Sequence, residues 1–326
     1  MAMRNAQLFF AVALICGACT PALAVEGPSA AGPIGGTDIR TAQLPPPGLY
    51  GGAVLLGARA FNFVDGNGDT IPALSEARLT KKVFGPFFLY VPDIQVLGGS
   101  IGLAAFIPVG ETCGRLFAAT PKRCQAGVGD PYVEVAWSRS FATPRPSRFP
   151  GAFPILEGLT IGAGFGVVLP IGQYNALDPT SQALSAGSNI YDFAPNFAIT
   201  YTTRPIIVEG TEFSAKAYWN NYLKNPATQY SSGSLINIDF AVSERIGRFQ
   251  IGIAGFYAFQ VTDDKQFGLA VASDGRRVEI LSLGGVFAYD MPEHNAAVKI
   301  KALTSVIAAN TAASGAVAIS VIKKFY

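Results

Sequence analysis

The chain has 326 residues, a formal net charge of +2 and only 14% charged residues, against the roughly one quarter usual in soluble domains. Half of its residues are apolar and no basic stripe runs through it, which excludes nucleic acid as a partner and leaves either a very large core or lipid as the solvent.

In chain order, the first element is a leader. Arg4, an apolar run from Leu8 to Ala18 and "PALA" before Val25 have the layout of a secretory signal peptide over residues 1–24. The apolar run is too short to cross about 30 Å of hydrocarbon. Its removal takes Cys16 and Cys19 with it and leaves Cys113 and Cys124, set apart by "GRLFAATPKR". In an oxidising compartment such a pair most simply forms one disulfide that staples a loop. A zinc site is the rival, but two thiolates leave zinc short of ligands and the sole histidine, His294, is distant in sequence. Residues 25–47 are rich in Gly, Ala, Ser and Pro without strand periodicity. They read either as a flexible periplasmic segment or as a plug folded back into a lumen.

From Gly48 onward the period is two. Gly158, Gly162, Gly164 and Gly166 share one parity, while Leu159, Ile161, Ala163, Phe165 and Val167 fill the other, so this longest apolar stretch is a strand and not a helix. The same alternation sets Val133, Val135 and Trp137 against Glu134 and Ser138, and Ile236, Ile238 and Phe240 against Asn237 and Asp239. Strands are predicted near 49–63, 73–90, 94–109, 128–141, 155–171, 191–203, 206–222, 233–245, 248–262, 276–290, 295–307 and 313–326. Many exceed the five or six residues common in soluble sheets and match the nine to eleven or more that a spanning strand needs. Short joins such as "VPD" and "IGR" alternate with long ones, among them "GETCGRLFAATPKRCQAG". That asymmetry is the mark of an outer-membrane barrel, so residues 48–326 are predicted to form an all-β, transmembrane antiparallel barrel of about twelve strands. The terminal Phe325-Tyr326 fits an interfacial aromatic belt and a signal for the barrel-assembly machinery. Inward charges Arg59, Glu134, Lys216 and Asp239 are candidates to interlock across the bore.

Several motifs in order, "LPPPGLYGG", "DGNGD", "VLGGSIGLAAFIPVG", "GVGDPYVEVAWSR", "VVLPIGQYN", "NPATQYSSG", "GFYAFQVTDD" and "RRVEILSLGGVFAYD", make the chain resemble the MetA-pathway of phenol degradation family of outer-membrane, transporter-like proteins. The resemblance runs from Leu44 to the last residue. It implies passive passage of hydrophobic small molecules, aromatic ones among them, across a lipopolysaccharide-bearing membrane. The alternative is a non-conducting structural or surface-binding barrel.

Chemistry-bearing residues are few. "DGNGDTIPALSE" imitates a calcium loop, yet Thr70 stands where such a loop needs Gly, and "GAGFG" lies within one strand and cannot be a dinucleotide fingerprint. With His294 as the sole imidazole, in a predicted inner turn, no enzyme, cofactor or metal site is expected. Tyr174, Asn221, Asn225, Thr228, Tyr230, Gln260, Asp263 and Asp264 fall at the predicted outer mouth. They are candidates either to contact a permeating ligand or to cap strand ends.

Overall fold

The computed structural model describes residues 34–326; the predicted leader lies outside them. Twelve antiparallel strands form the wall. They are β1 (Gly48–Phe63), β2 (Arg78–Val91), β3 (Gly99–Phe106, resumed as Val109–Arg115), β4 (Arg123–Val128, resumed as Tyr132–Ser140), β5 (Ile155–Val168) and β6 (Asp192–Thr202), then β7 (Thr211–Tyr222), β8 (Leu235–Ile246), β9 (Phe249–Gln260), β10 (Glu279–Met291), β11 (Ala296–Ala309) and β12 (Ala312–Lys324). Each strand pairs with the next, and β12 returns to pair with β1 from Tyr50↔Lys324 to Phe63↔Ala312. The sheet therefore has no free edge through its spanning part, as hydrocarbon demands of a backbone that has no water to bond.

The period-two pattern sorts by face. Leu55, Phe84, Phe165, Phe197, Trp219, Ile251, Ile253 and Val317 are exposed on the outer surface. Thr160, Thr200, Lys216, Asn237, Asp239, Gln250 and Asp290, from the other parity, are buried in the lumen. A large exposed apolar band over a polar interior inverts the soluble arrangement and is that of a spanning barrel.

Two prolines break the wall at one place. Ile107-Pro108 interrupts β3 and Asp130-Pro131 interrupts β4, because a proline cannot donate to the ladder. Beyond the break, Val109–Arg115 stays paired with β2 while Arg123–Val128 pairs only with it. The segment predicted as a long loop is thus a β-hairpin extension, closed by a Cys113–Cys124 disulfide between directly opposed residues. The missing wall is supplied by residues 169–190. Gln173 N–H donates to Val128 O at 2.8 Å, and the Asp130 carboxylate accepts from Gly172 N (2.8 Å), Ser188 N (2.6 Å) and Ser188 Oγ (2.7 Å). This loop holds one short helix, α1 (Pro179–Leu184), capped by Asp178 on Ser181 N.

Inner connections are mostly tight. Gly247, at φ 60°, makes the β8–β9 turn, and Pro292 to Asn295 makes the next. The predicted start of β7 at 206 shifts to Thr211, since residues 203–210 form a loop around Pro205. The long basic join of residues 141–154 is pinned to that loop. Glu209, fully buried, accepts from Ser147 Oγ (2.9 Å), Arg148 N (2.6 Å) and Gly247 N (2.7 Å), and its own carbonyl accepts from Arg145. Arg145 and Arg204 both bind Glu157, at 3.0 and 3.2 Å.

Burial opposes the charge on Glu209, but the N–H and O–H donors and Arg145 prevail and hold its carboxyl below the usual glutamate range. A lowered folded-state pKa contributes order above the unfolded value that is lost as pH falls through the folded one. Glu209→Ala should therefore leave the barrel folded but speed trypsin cleavage after Arg148 at neutral pH. In the native protein, protection of the Arg148 and Gly247 amides, taken relative to their intrinsic exchange rates, should fall only on strong acidification.

Candidate functional site

The lumen is occupied by the chain's own residues 34–47, which run down the bore, from Gly35 beside Asp239 to Arg40 beside Gln250 and Asp290, before turning into β1 at its inner end. Their sequence, "IGGTDIRTAQLPPP", carries no strand pattern, so its backbone groups must bond to side chains of the wall. Asp239 accepts from Gly35 N (2.8 Å), Thr37 N (2.9 Å) and Thr37 Oγ1 (2.8 Å). Asp38 sits between Lys299 and Lys301, each 2.7 Å away. Arg40 forks onto both oxygens of Asp290, at 3.1 and 2.9 Å. It also donates to Gln250 Oε1 at 2.8 Å, while its N–H donates to Glu212 at 2.6 Å. Ala42 N donates to Thr200 Oγ1 (3.1 Å) and Ala42 O accepts from Ser138 Oγ (2.6 Å). Apolar contacts complete the seat: Ile39 rests on Ala241, Ala254 and Val286, beside Leu303.

The fit is reciprocal. Without the segment, Lys299 and Lys301 would lose the carboxylate set between them and Asp239 its three donors. With it, each acid meets a donor and each cation an acceptor.

Level with Gly35 and Thr37, the described end of the plug, the lumen carries an ion pair on Lys216, which is directly opposite Asp239 in register. Lys216 pairs with Glu134 at 2.7 Å, and Tyr132 donates to the second Glu134 oxygen at 3.1 Å. The pair bridges β4 and β7 across the glycine row of β5. A Cβ at Gly164 would lie 2.6 Å from Glu134 Oε1, so the bare row makes room for this ion pair and, at Gly162, for the plug's Ala42 carbonyl. Of the four charges predicted to interlock, Glu134, Lys216 and Asp239 do face inward. Arg59 does not: it shares the outward parity of Leu55 and Phe61 and is exposed. One step higher, Phe106, Tyr132, Val168, Asp192 and Tyr222 are opposite one another in register across β3 to β7. Asp192 binds Asn221 N through one oxygen (2.9 Å), while its other oxygen and the Tyr222 hydroxyl are buried without a partner among the described residues.

The sequence-predicted mouth residues divide into groups. Asp264 accepts from Gly233 N (2.8 Å), Gln260 Nε2 (2.7 Å) and the Tyr230 hydroxyl, and Asn225 receives Asn189 Nδ2 (2.9 Å) and Ala227 N (2.9 Å). Asp263 instead binds Arg277 at 2.8 Å. Asn221 lies on the outward row, bonded to Phe193 O; Thr228 is half-buried between Asn225 and Tyr230, and Tyr174 is half-buried in the 169–190 loop. The network braces two outer hairpins. His294 is exposed in the inner turn, next to the Glu293–Arg248 pair. The plug's contacts escaped sequence reasoning; the only available signal was the stranded surplus of inward Asp and Lys on β8 and β11.

Residues 60–321 match the family described as "Putative MetA-pathway of phenol degradation". The chain belongs to that family. Among solved structures, an outer membrane channel from Pseudomonas putida F1 superposes with a TM-score of 0.71 at 14% identity, covering 89% of this chain and 100% of that one. The beta domain of the Bordetella autotransporter BrkA gives a TM-score of 0.46 at 10% identity, over 84% of this chain and 99% of that one. No curated protein matches in sequence. At such identities the first likeness establishes the fold of this family member, a closed twelve-stranded outer-membrane barrel, and leaves its cargo to the site's own chemistry.

Asp38→Asn should unseat the plug. Breaking a buried ion pair from one side costs about 3–5 kcal/mol, and here two lysines lose their common partner. Single-channel recordings in planar bilayers should show longer and larger openings for Asp38→Asn, and a steadily open pore when residues 34–42 are deleted. An unchanged conductance in the deletion would mean that something other than the plug closes the bore.

Proposed function

We propose that this chain is an outer-membrane channel through which small hydrophobic molecules, aromatic ones among them, enter by diffusion, with residues 34–47 as a displaceable plug. The observation that carries the reading is the inward row Phe106–Tyr132–Val168–Asp192–Tyr222 beyond the described end of the plug, which sets three aromatic side chains in a bore otherwise lined largely by polar and charged ones. Aromatic side chains offer a permeating ring stacking and edge contacts. The family's description and the channel from Pseudomonas putida F1 support the same class of function. In this reading the outer loops bearing Tyr174, Tyr230 and Phe267 capture cargo. Of these, Phe267 is conspicuously exposed at a tip, at 76%. The barrel-assembly machinery inserts the exported chain, and no catalytic role is assigned.

A second reading, a barrel that conducts nothing and serves as a structural or binding element, draws on the Glu134–Lys216 pair and the well-seated plug. Liposomes carrying the purified protein separate the two. Toluene or styrene should equilibrate faster than into empty liposomes, a sugar of similar size should not, and Phe106→Ala with Tyr222→Ala should slow the aromatic. If neither the native protein nor the form lacking residues 34–42 admits the aromatic faster than bare lipid does, the second reading stands.

A further inference from the structure

Two cations interrupt the apolar outward surface along one sector of the wall, below the exposed Phe61 of β1 and Val306 of β11. Ile300, Ile319, Leu55, Phe84 and Val109 lie side by side across β11, β12, β1, β2 and β3 and are all exposed. Directly above them come Ala302, Val317, Gly57, Lys82 and Glu111, and above those Thr304, Gly315, Arg59, Thr80 and Cys113. Arg59 and Lys82 are thus diagonal neighbours on the lipid side of adjacent strands.

Their height follows from strand geometry. Leu49 marks the inner interface, where it is opposite Tyr90 and accepts from Phe325 N. Arg59 is ten residues further along β1. At about 3.4 Å per residue and a tilt near 40°, that is roughly 26 Å, against an apolar band of about 25 Å. Arg59 therefore stands at the outer headgroup level, with Lys82 one step below and able to reach up to it. At the same level β5 to β10 present Phe165, Phe193, Trp219, Ile236, Tyr257 and Leu281. The cations are confined to this sector.

Both are exposed and, among the described residues, neither has a hydrogen-bond or ion-pair partner. Three of the cations higher on the same side are already engaged. Arg78 binds the Ser75 and Ala77 carbonyls, Arg115 binds Glu76 and Arg123 binds Asp178. Glu111, opposite Lys82, is the one acid on the patch, which leaves one positive charge in excess. The surface around Arg59 is also bare. A Cβ at Gly57 would meet nothing within 4 Å, and one at Gly315 only Leu303 O and Thr304 Oγ1, at 3.6 and 3.9 Å.

We propose that Arg59 and Lys82 form a binding site for the phosphate of an outer-leaflet glycolipid of the lipid A type. The headgroup sits in the hollow over Gly57 and Gly315, and the acyl chains lie on Leu55, Phe84 and Ile319. A guanidinium grips phosphate through two parallel N–H donors and the ammonium adds a point charge. The site concerns the lipid face alone and does not depend on what crosses the lumen.

The test is native mass spectrometry of the full barrel in detergent, titrated with diphosphorylated lipid A, dephosphorylated lipid A, phosphatidylglycerol and inorganic pyrophosphate. The native barrel should retain one diphosphorylated lipid A in preference to the other three. Arg59→Ala with Lys82→Ala should bind it about tenfold or more weakly, the scale of losing charge-assisted bonds, and Arg59→Lys should fall between. Lys323→Ala, which removes an outward cation at the inner end, should change nothing, and unaltered heat-modifiable gel mobility checks that each variant is folded. Equal binding by the folded double variant, or equal binding of the dephosphorylated lipid, overturns the proposal in favour of apolar contact alone. Preference for phosphatidylglycerol or for free pyrophosphate overturns it equally.

Discussion

A backbone in hydrocarbon has nothing to bond but itself, and the architecture of this chain descends from that restriction. It requires β12 to find β1 and keeps all twelve strands in sequential antiparallel order. Irregularity is confined to where water or protein can satisfy it. The interruptions at Ile107-Pro108 and Asp130-Pro131 are on the outer side, where the loop of residues 169–190 bonds to the exposed segment through Gln173 and Asp130. A proline in mid-wall is tolerated at Pro195 of β6, whose neighbours keep the pairing in register.

Closure creates the second problem, a narrow interior lined by the polar parity of twelve strands. Charges there must be neutralised locally. One set is settled within the wall, as with Glu134 and Lys216 or Arg245 and Asp290. The other set, comprising Asp239, Lys299, Lys301, Glu212 and a share of Asp290, is met by residues 35–40. The plug uses backbone N–H groups against acids and a single carboxylate against two lysines. A segment of mostly small residues can therefore be held as firmly as a strand, without belonging to the sheet.

Much of this was legible in the sequence, because parity is a local property. The glycine row of β5, the alternation of β4 and β8 and the long-and-short sequence of joins gave the strand number and the inward-facing side chains. The errors have local causes as well. Residues 203–210 look strand-like through Ile206-Ile207-Val208, but Pro205 and the burial of Glu209 make a loop of them. The hairpin at 109–128 was hidden because its outward row carries Glu111 and two cysteines, not an apolar face. Arg59 does not join the other three charges in the lumen, and its parity with Leu55 and Phe61 pointed outward. The bonds that Asn225, Tyr230, Gln260 and Asp264 make within the outer hairpins depend on loop shape, which no spacing encodes. The plug was undecidable for a similar reason: its partners lie hundreds of positions away.

That separation in sequence sets an order of events. Asp38 is among the earliest described residues, yet its lysines come 261 and 263 positions later, on the last strand but one. Until β11 is in place the carboxylate has no counter-cations and the bore no floor, so the segment must wait outside while eleven strands assemble. Seating therefore follows β11, and a barrel arrested before that strand joins would be recognisable by protease-accessible residues 34–47.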